Sequence, residues 1–330
     1  MKWIAVAVGV ISVLVHFLVL RKEFPVHDAD GEGIILISGT SSGIGRAACG
    51  WLAERHPRMT LYCGVRREVE GSPFDLPNVK QIILDITNKE HYGVFQEIAQ
   101  AKKPLIAVVN NAGINDMETF ELLGVERLRT VLEVNVIGTY QLTQASLPLI
   151  RETKGRVVTV SSVSGLFPGA PLISAYQGSK HCLEAMFDSL RAELTPLDVS
   201  VSLINPGFLE SSIVTSRKDT TDNTHDDNHQ EVVKIYSHVT SESYRSMVDE
   251  LASATGSMEE TCLSIDDAIF SRYPKTRYMT SRLGAIPSWI AGRVFNALPS
   301  RLTDILSLRL EPVVYLTRIR ALLQQLLGFR

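Results

Sequence analysis

Short apolar runs alternate with helix-spaced apolar positions along most of this 330-residue chain. After the polar stretch "HDADGEG" (27–33) comes "IILIS", apolar until its last residue, as in a strand buried on both faces. The following "GIGRAACGWLAERH" has apolar residues at Ile44, Ala47, Ala48, Trp51 and Leu52, the spacing of one helix face. The alternation repeats: "MTLYCG" (59–64), "VKQIIL" (79–84), "LIAVVN" (105–110), "GRVVTVS" (155–161) and "VSVSLI" (199–204) read as strands. Helical patterns lie between them, notably 124–151 and 175–195. Strand and helix in strict alternation imply parallel pairing with right-handed crossovers, hence an α/β fold with a doubly wound parallel sheet of Rossmann type.

Three stretches depart from this rhythm. Residues 3–20, "WIAVAVGVISVLVHFLVL", are apolar except for Ser12 and His16 and run into Arg21 and Lys22. About 18 apolar residues approach the minimum that spans a bilayer, and "RKEFP" offers no small-x-small cleavage site. The chain is therefore expected to carry an N-terminal transmembrane helix (1–22), a linker (23–33) and one domain (34–285). Lys2 and the amino terminus nearly balance Arg21 and Lys22, so charge gives no clear orientation. The second stretch, 217–231 ("RKDTTDNTHDDNHQE"), holds no large apolar side chain and reads as a flexible polar loop, either plain surface or a flap near a site. His225, His229, Asp226 and Asp227 in such a loop do not make an expected metal site. The third, 286–330, reads as a helical segment mixing Trp289, Phe295 and Leu298 with Arg293, Arg301 and Arg309, either packed on the domain or lying on a membrane surface.

Charge adds an exclusion. With 33 Lys+Arg against 36 Asp+Glu and no basic block interleaved with aromatics, nucleic acid is not an expected partner. The four cysteines, Cys49, Cys63, Cys182 and Cys262, are scattered and form no CxxC pair, so they are expected as reduced, buried apolar residues. That reading and the absence of an N-x-S/T sequon lean towards a cytosolic domain.

Candidate chemistry collects at strand ends. In "SGTSSGIG", Gly39, Gly43 and Gly45, with Ser41, Ser42 and Ile44 between them, lie at a strand-to-helix turn. There the missing Cβ atoms let backbone approach a pyrophosphate, and the helix N-terminus supplies N–H groups. In "YQGSK", Tyr176 and Lys180 stand four apart on one helix face. An ammonium one turn away, together with a nicotinamide cation, would stabilise the phenolate and lower the pKa of a phenol that otherwise titrates near 10.

The spacing G-x-x-x-G-x-G resembles the short-chain dehydrogenase/reductase family. Its other motifs follow in order over about residues 33–215: "LDIT" with Asp85, "NNAG" with Asn111, Ala112 and Gly113, "NVIGTY" with Asn135, then "SSVSG", "YQGSK", and "NPG" with Pro206 and Gly207. The resemblance implies roles. Tyr176 is the general acid–base; Lys180 lowers its pKa and binds the nicotinamide ribose; Ser162 steadies the substrate oxygen; Asn135 holds a water in a proton relay. Asp85 would meet the adenine, and Ser211 would contact the cofactor amide. Ser162 lies 14 positions before Tyr176 and Ser164 lies 12, which leaves both serines open by spacing. The S-S-x-x-G string favours Ser162. The second strand ends in "LYCGVRR", with no acid to hold a ribose 2′-OH and with Arg66 and Arg67 available for a phosphate. NADP is the expected cofactor and NAD the second option, since Ser42 rather than a basic residue precedes Gly43.

Leu166, Phe167, Pro168, Leu172, Phe208, Leu209 and Ile213 would give an apolar pocket, suited to a lipophilic alcohol or ketone. The C-terminal part, including "YPKTRYM" as a last edge strand, is similar to membrane-bound retinol and hydroxysteroid dehydrogenases. The expectation is thus a single-pass membrane oxidoreductase of a retinoid or steroid, at the endoplasmic reticulum with its domain in the cytosol, and with a homodimer as an allowed assembly. Two alternatives remain: a reductase of a long-chain keto-lipid, and a non-catalytic membrane scaffold that keeps the dinucleotide fold.

Overall fold

The computed structural model describes residues 22–207 (apart from 30, 102 and 168), 209, 227–242, 246, 257–280, 282–283, 286–287 and 298. The apolar run 3–20, Pro168, Phe208, Ser211, Ile213, residues 217–226 and nearly all of the chain beyond 287 lie outside the described residues. Among the described residues, no helix is long and apolar enough to cross a membrane.

Seven strands, β1 (Gly33–Ile37), β2 (Met59–Val65), β3 (Val79–Ile83), β4 (Leu105–Asn110), β5 (Arg156–Val160), β6 (Ser200–Asn205) and β7 (Arg277–Met279), form one parallel sheet. Their order is β3-β2-β1-β4-β5-β6-β7, so the winding reverses between β1 and β4. Every residue of β1, β4, β5 and β6 is buried, which explains their unbroken apolar runs.

The helices are α1 (Gly43–Arg55), α2 (Val94–Gln100), α3 (Val125–Leu132), α4 (Thr139–Thr153), α5 (Ser174–Leu194), α6 (Asp227–Ile235), α7 (Ser237–Thr240) and α8 (Met258–Phe270). Residues of α1 and α8, including Leu52, Ile265 and Ile269, cover one sheet face. The other face is covered by α2, α4 and α5, through residues such as Ile98, Leu142, Leu183 and Phe187. Each fully buried side chain of this size contributes about 1.5–3 kcal/mol.

Several sequence expectations change here. The helix expected over 124–151 divides into α3, a π turn (Glu133–Gly138) and α4. The π turn ends at Gly138, which packs closely: a Cβ there would sit 2.8 Å from Ile86 Cγ1 and 3.1 Å from the Ile86 carbonyl oxygen. The end of the expected loop 217–231 is helical, because α6 begins at Asp227 and buries Val232. Ile286–Pro287, expected as the start of a helical segment, pairs antiparallel with Arg282–Leu283.

The cysteine expectation is corrected for one pair. Cys49 of α1 and Cys63 of β2, both fully buried, are joined by a disulfide with Cα atoms 6.6 Å apart. Only 14 residues separate them, but the strand turns Cys63 towards the helix that precedes it. Cys182 and Cys262 are free thiols.

The expected linker is docked rather than loose. Phe24 is buried, and its N–H donates to the Arg272 carbonyl at 3.0 Å. Arg156, fully buried at the start of β5, donates to the carbonyls of Pro25, Lys154 and Ser271 and lies 5.7 Å from the Phe24 ring centroid. Burial pushes its pKa down to about 10. Lys22 Nζ donates to the Thr195 carbonyl at 2.6 Å and to Asp198 Oδ1 at 2.9 Å. These partners all precede strands, so the strap lies along the sheet's N-terminal edge.

Candidate active site

The opposite, C-terminal edge gathers the candidate site residues. β1 ends at the glycine turn, where Gly39 and Gly43 have φ of 69° and 58°, a region that disfavours any side chain. A Cβ on Gly39 would lie 2.7 Å from Ala112 Cα. The turn is braced by Asn111, whose Nδ2 donates to the carbonyls of Ser38 and Gly39, each at 3.0 Å. Ser38 Oγ in turn accepts from the backbone N–H groups of Asn111 (3.0 Å) and Ala112 (3.1 Å). The β1 and β4 ends are thus locked together at the switch point. The first turn of α1 carries no acidic residue, so its N–H groups and dipole face no competing carboxylate.

Arg66 and Arg67 are exposed just past β2. Across from them, burial alone would push the Asp85 pKa up, but hydrogen bonds from Thr87 and the charges of Arg66 and His91 hold it below the usual carboxylate range. Arg46, which the sequence reading did not single out, follows the last glycine of the turn. It binds the carbonyls of Ser41, Glu70 and Ser72 and lies 5.1 Å from the Phe74 ring centroid, fixing the loop after β2 against the glycine turn.

Asn135 is buried in the π turn, a distortion often found at functional sites. Its Oδ1 accepts from Ile114 N–H at 2.8 Å, and its Nδ2 donates to the Ile114 carbonyl at 2.9 Å and Ser179 Oγ at 3.0 Å. The side chain therefore ties the segment after β4 to α5. A Cβ on Gly113 would press to 3.3 Å of Asn135 Oδ1, so this motif glycine permits the brace.

Helix α5 supplies the tyrosine and the lysine. Tyr176 is half-buried and hydrogen-bonds Ser162; Lys180 is buried, with Nζ 5.6 Å from the Tyr176 ring centroid and donating to the Val160 carbonyl at 2.9 Å. Ser162, rather than Ser164, is the serine brought to the tyrosine; its Oγ also accepts from Ser164 N–H at 3.1 Å. Without the nicotinamide cation, burial pushes the Tyr176 pKa up, opposed by the Ser162 hydrogen bond. The ammonium is turned towards Val160, and burial lowers its own pKa to about 8, with Glu184 pulling the other way.

Beneath the pair lies a network that the motifs did not announce. Asn205 Nδ2 donates to Glu184 Oε1 at 2.6 Å and to the Ser162 carbonyl at 3.2 Å, while Arg277 Nε donates to Glu184 Oε2 at 2.8 Å. Pro206 is buried, with its carbonyl accepting from Val163 N–H at 3.0 Å, and Gly207 follows it. Of the apolar residues expected at the pocket, Leu166, Phe167 and Leu172 are part-exposed and Leu209 is buried. Leu172 has φ 69°, and its carbonyl accepts from Glu118 N–H at 2.8 Å. Among the described residues, Asn110 Oδ1 and Ser161 Oγ are buried without a hydrogen-bond partner at the ends of β4 and β5. No cluster that could hold a metal ion occurs among the described residues.

Comparison with known proteins identifies relatives of the whole domain. A 3-amino-tetrahydro-pyrrolizinone reductase of Xenorhabdus hominickii is 37% identical over 182 residues, 54% of this chain and 62% of that protein. Retinol dehydrogenase 7 of Rattus norvegicus is 30% identical over 272 residues, 80% of this chain and 85% of that protein. A Burkholderia cenocepacia short chain dehydrogenase solved in complex with NADP superposes with a TM-score of 0.51 at 29% identity, covering 57% of this chain and 76% of that one. The family model described as short chain dehydrogenase matches residues 33–222, more than half of the sequence. The chain belongs to the short-chain dehydrogenase family.

Proposed function

We propose that the protein is an NADP-dependent oxidoreductase that interconverts a lipophilic alcohol and its ketone or aldehyde, with a retinoid- or steroid-like substrate. The observation that carries this reading is the Ser162–Tyr176 hydrogen bond with Lys180 buried beneath the ring. A phenol held protonated by burial is suited to donate a proton to a carbonyl oxygen, and Ser162 lies where it can steady that oxygen. Lys180, at about 8, is still mostly cationic at neutral pH and would favour the phenolate left behind. Asn135 acts first as a brace between the segment after β4 and α5. A relay water held there would rest on its main-chain carbonyl.

The residues present fit a dinucleotide. The glycine turn and the carboxylate-free start of α1 would hold the pyrophosphate. Arg66 would take a 2′-phosphate, Asp85 would face the adenine, and Lys180 would reach the nicotinamide ribose. When bound, the nicotinamide supplies or accepts the hydride. The Burkholderia neighbour in complex with NADP and the likeness to a retinol dehydrogenase over most of the chain support this choice of cofactor and substrate class. Association with a membrane through residues 3–20 would concentrate such substrates.

Turnover of a retinaldehyde, a steroid ketone and a long-chain 3-keto lipid, followed by NADPH absorbance, tests the reading. Preferred reduction of either of the first two is expected. Preference for the keto-lipid would move the substrate class, and NADPH binding without turnover of any of them would favour a scaffold.

A further inference from the structure

The network under Lys180 suggests a residue that works through the lysine. Glu184 lies one turn further along α5, buried with a side-chain exposure of 7%. A carboxylate so placed must be matched by hydrogen-bond donors or it costs several kcal/mol. Asn205 from β6 takes one oxygen and Arg277 from β7 takes the other. Arg277 is shared: its Nη2 donates to Asp188 Oδ2 at 2.7 Å, and the second Asp188 oxygen accepts from Arg191. On the remaining side, Gly165 lets the β5–α5 connection press against this turn. A Cβ there would lie 3.0 Å from both Glu184 Cγ and the Lys180 carbonyl oxygen. Asn205 and Arg277 are the side chains that hydrogen-bond Glu184, while Lys180, one turn back on α5 with its ammonium on the Val160 carbonyl, feels the carboxylate through its charge.

We propose that Glu184 is a positioning residue for the reaction: its buried negative charge keeps Lys180 cationic beneath Tyr176, and Arg277 from the last strand limits how much of that charge Lys180 feels. Burial alone drives Lys180 towards its neutral form, and Glu184 is the group that opposes it. Asn205, bonded to both Glu184 and the Ser162 carbonyl, couples the same carboxylate to the serine that meets the tyrosine. This inference rests on the proposed roles of Tyr176 and Lys180.

The test is the pH profile of kcat/KM for ketone reduction at saturating NADPH, from pH 6 to 9, in the full-length enzyme. Activity should fall with rising pH as Lys180 deprotonates, because Tyr176 stays protonated over this range. Glu184→Gln should move that limb down by about one pH unit, a loss of about fivefold at pH 8 with almost none at pH 6. Arg277→Gln, which frees the carboxylate from its cation, should move the limb the other way. Opposite shifts are an outcome that a purely structural ion pair would not give. A uniform loss across pH in both variants, or limbs that do not move, would overturn the proposal. Should Glu184→Gln fail to fold, Arg277→Gln decides alone: an upward shift supports the proposal, and an unmoved or lowered limb overturns it. Tyr176→Phe is run in parallel. If that variant kept its rate, the reading of the tyrosine–lysine pair would fall, a result distinct from an inactive Tyr176→Phe with unmoved limbs in the other variants.

Discussion

Ser162, Tyr176 and Lys180 are successively 14 and 4 positions apart in sequence and meet in space, which is why local motifs were enough to find them. Tyr176→Phe should lower kcat at least a hundredfold with little change in NADPH affinity, since it removes only the proton. Ser162→Ala should lose far more activity than Ser164→Ala; an equal loss in steady-state assays would move the oxygen-steadying role off Ser162. The proposed preference for NADPH is expected to rest on Arg66. A charge-assisted guanidinium–phosphate contact contributes about 1.5–3 kcal/mol, or about tenfold to a hundredfold in favour of NADPH over NADH. Arg66→Ala should raise the KM for NADPH and leave that for NADH nearly unchanged. The sign of the Tyr176 shift, by contrast, could not be read from spacing. Four positions on a helix place an ammonium near a phenol, but only the packed environment shows that burial dominates and that the ammonium turns to Val160. Glu184 and Arg277 stayed hidden for a related reason: they lie 93 residues apart and are joined only when β7 pairs with β6.

Among elements, the six expected strands from 34 to 204 reappear within about a residue at each end; strands buried on both faces make continuous apolar runs, and only the edge strand β3 among the six is largely part-exposed. The last strand is shorter than the expected "YPKTRYM", with only Arg277–Met279 pairing. The π turn was not legible. Helical periodicity continues through Glu133–Gly138, so the spacing of apolar residues carries no sign of the shifted backbone bonds. The short connection between β5 and α5 makes its own prediction. Gly165→Ala places a methyl 3.0 Å from the Lys180 carbonyl oxygen, a backbone atom that can yield only if α5 moves. That variant should lose activity about tenfold or more and melt lower than wild type. Unchanged kinetics would show that α5 tolerates the displacement.

Taken whole, the molecule places its disulfide and its strap where the sequence suggested neither. Cys49–Cys63 removes the cysteine argument for a reducing compartment, since two of the four thiols are paired. Alkylation of the denatured chain should label two cysteines before reduction and four after it, read by mass spectrometry. The strap changes how the apolar N-terminus should be tested. A chain starting at Asp28 would lose Lys22, Phe24 and Pro25 together with residues 1–21, and so would mix two effects. A chain starting at Lys22 keeps them. The full chain should resist extraction from membranes by alkaline carbonate, and the chain from Lys22 should be released. Phe24→Ala, which empties a buried aromatic site, should lower stability by about 3 kcal/mol in denaturant titrations.

That strap also acts as a mounting bracket. The backbone between Lys22 and Pro25 is fastened at several points to one rim of the sheet, and the tyrosine sits at the opposite rim. The strands between these rims are five to seven residues long, about 16–23 Å. A body attached through residue 21 is therefore not on a free swivel. Lys22, where the described residues begin, is fixed relative to the site, at the rim away from it. Were residues 3–20 held in a membrane, the fixed end at Lys22 would belong to the rim of the sheet that does not carry Tyr176.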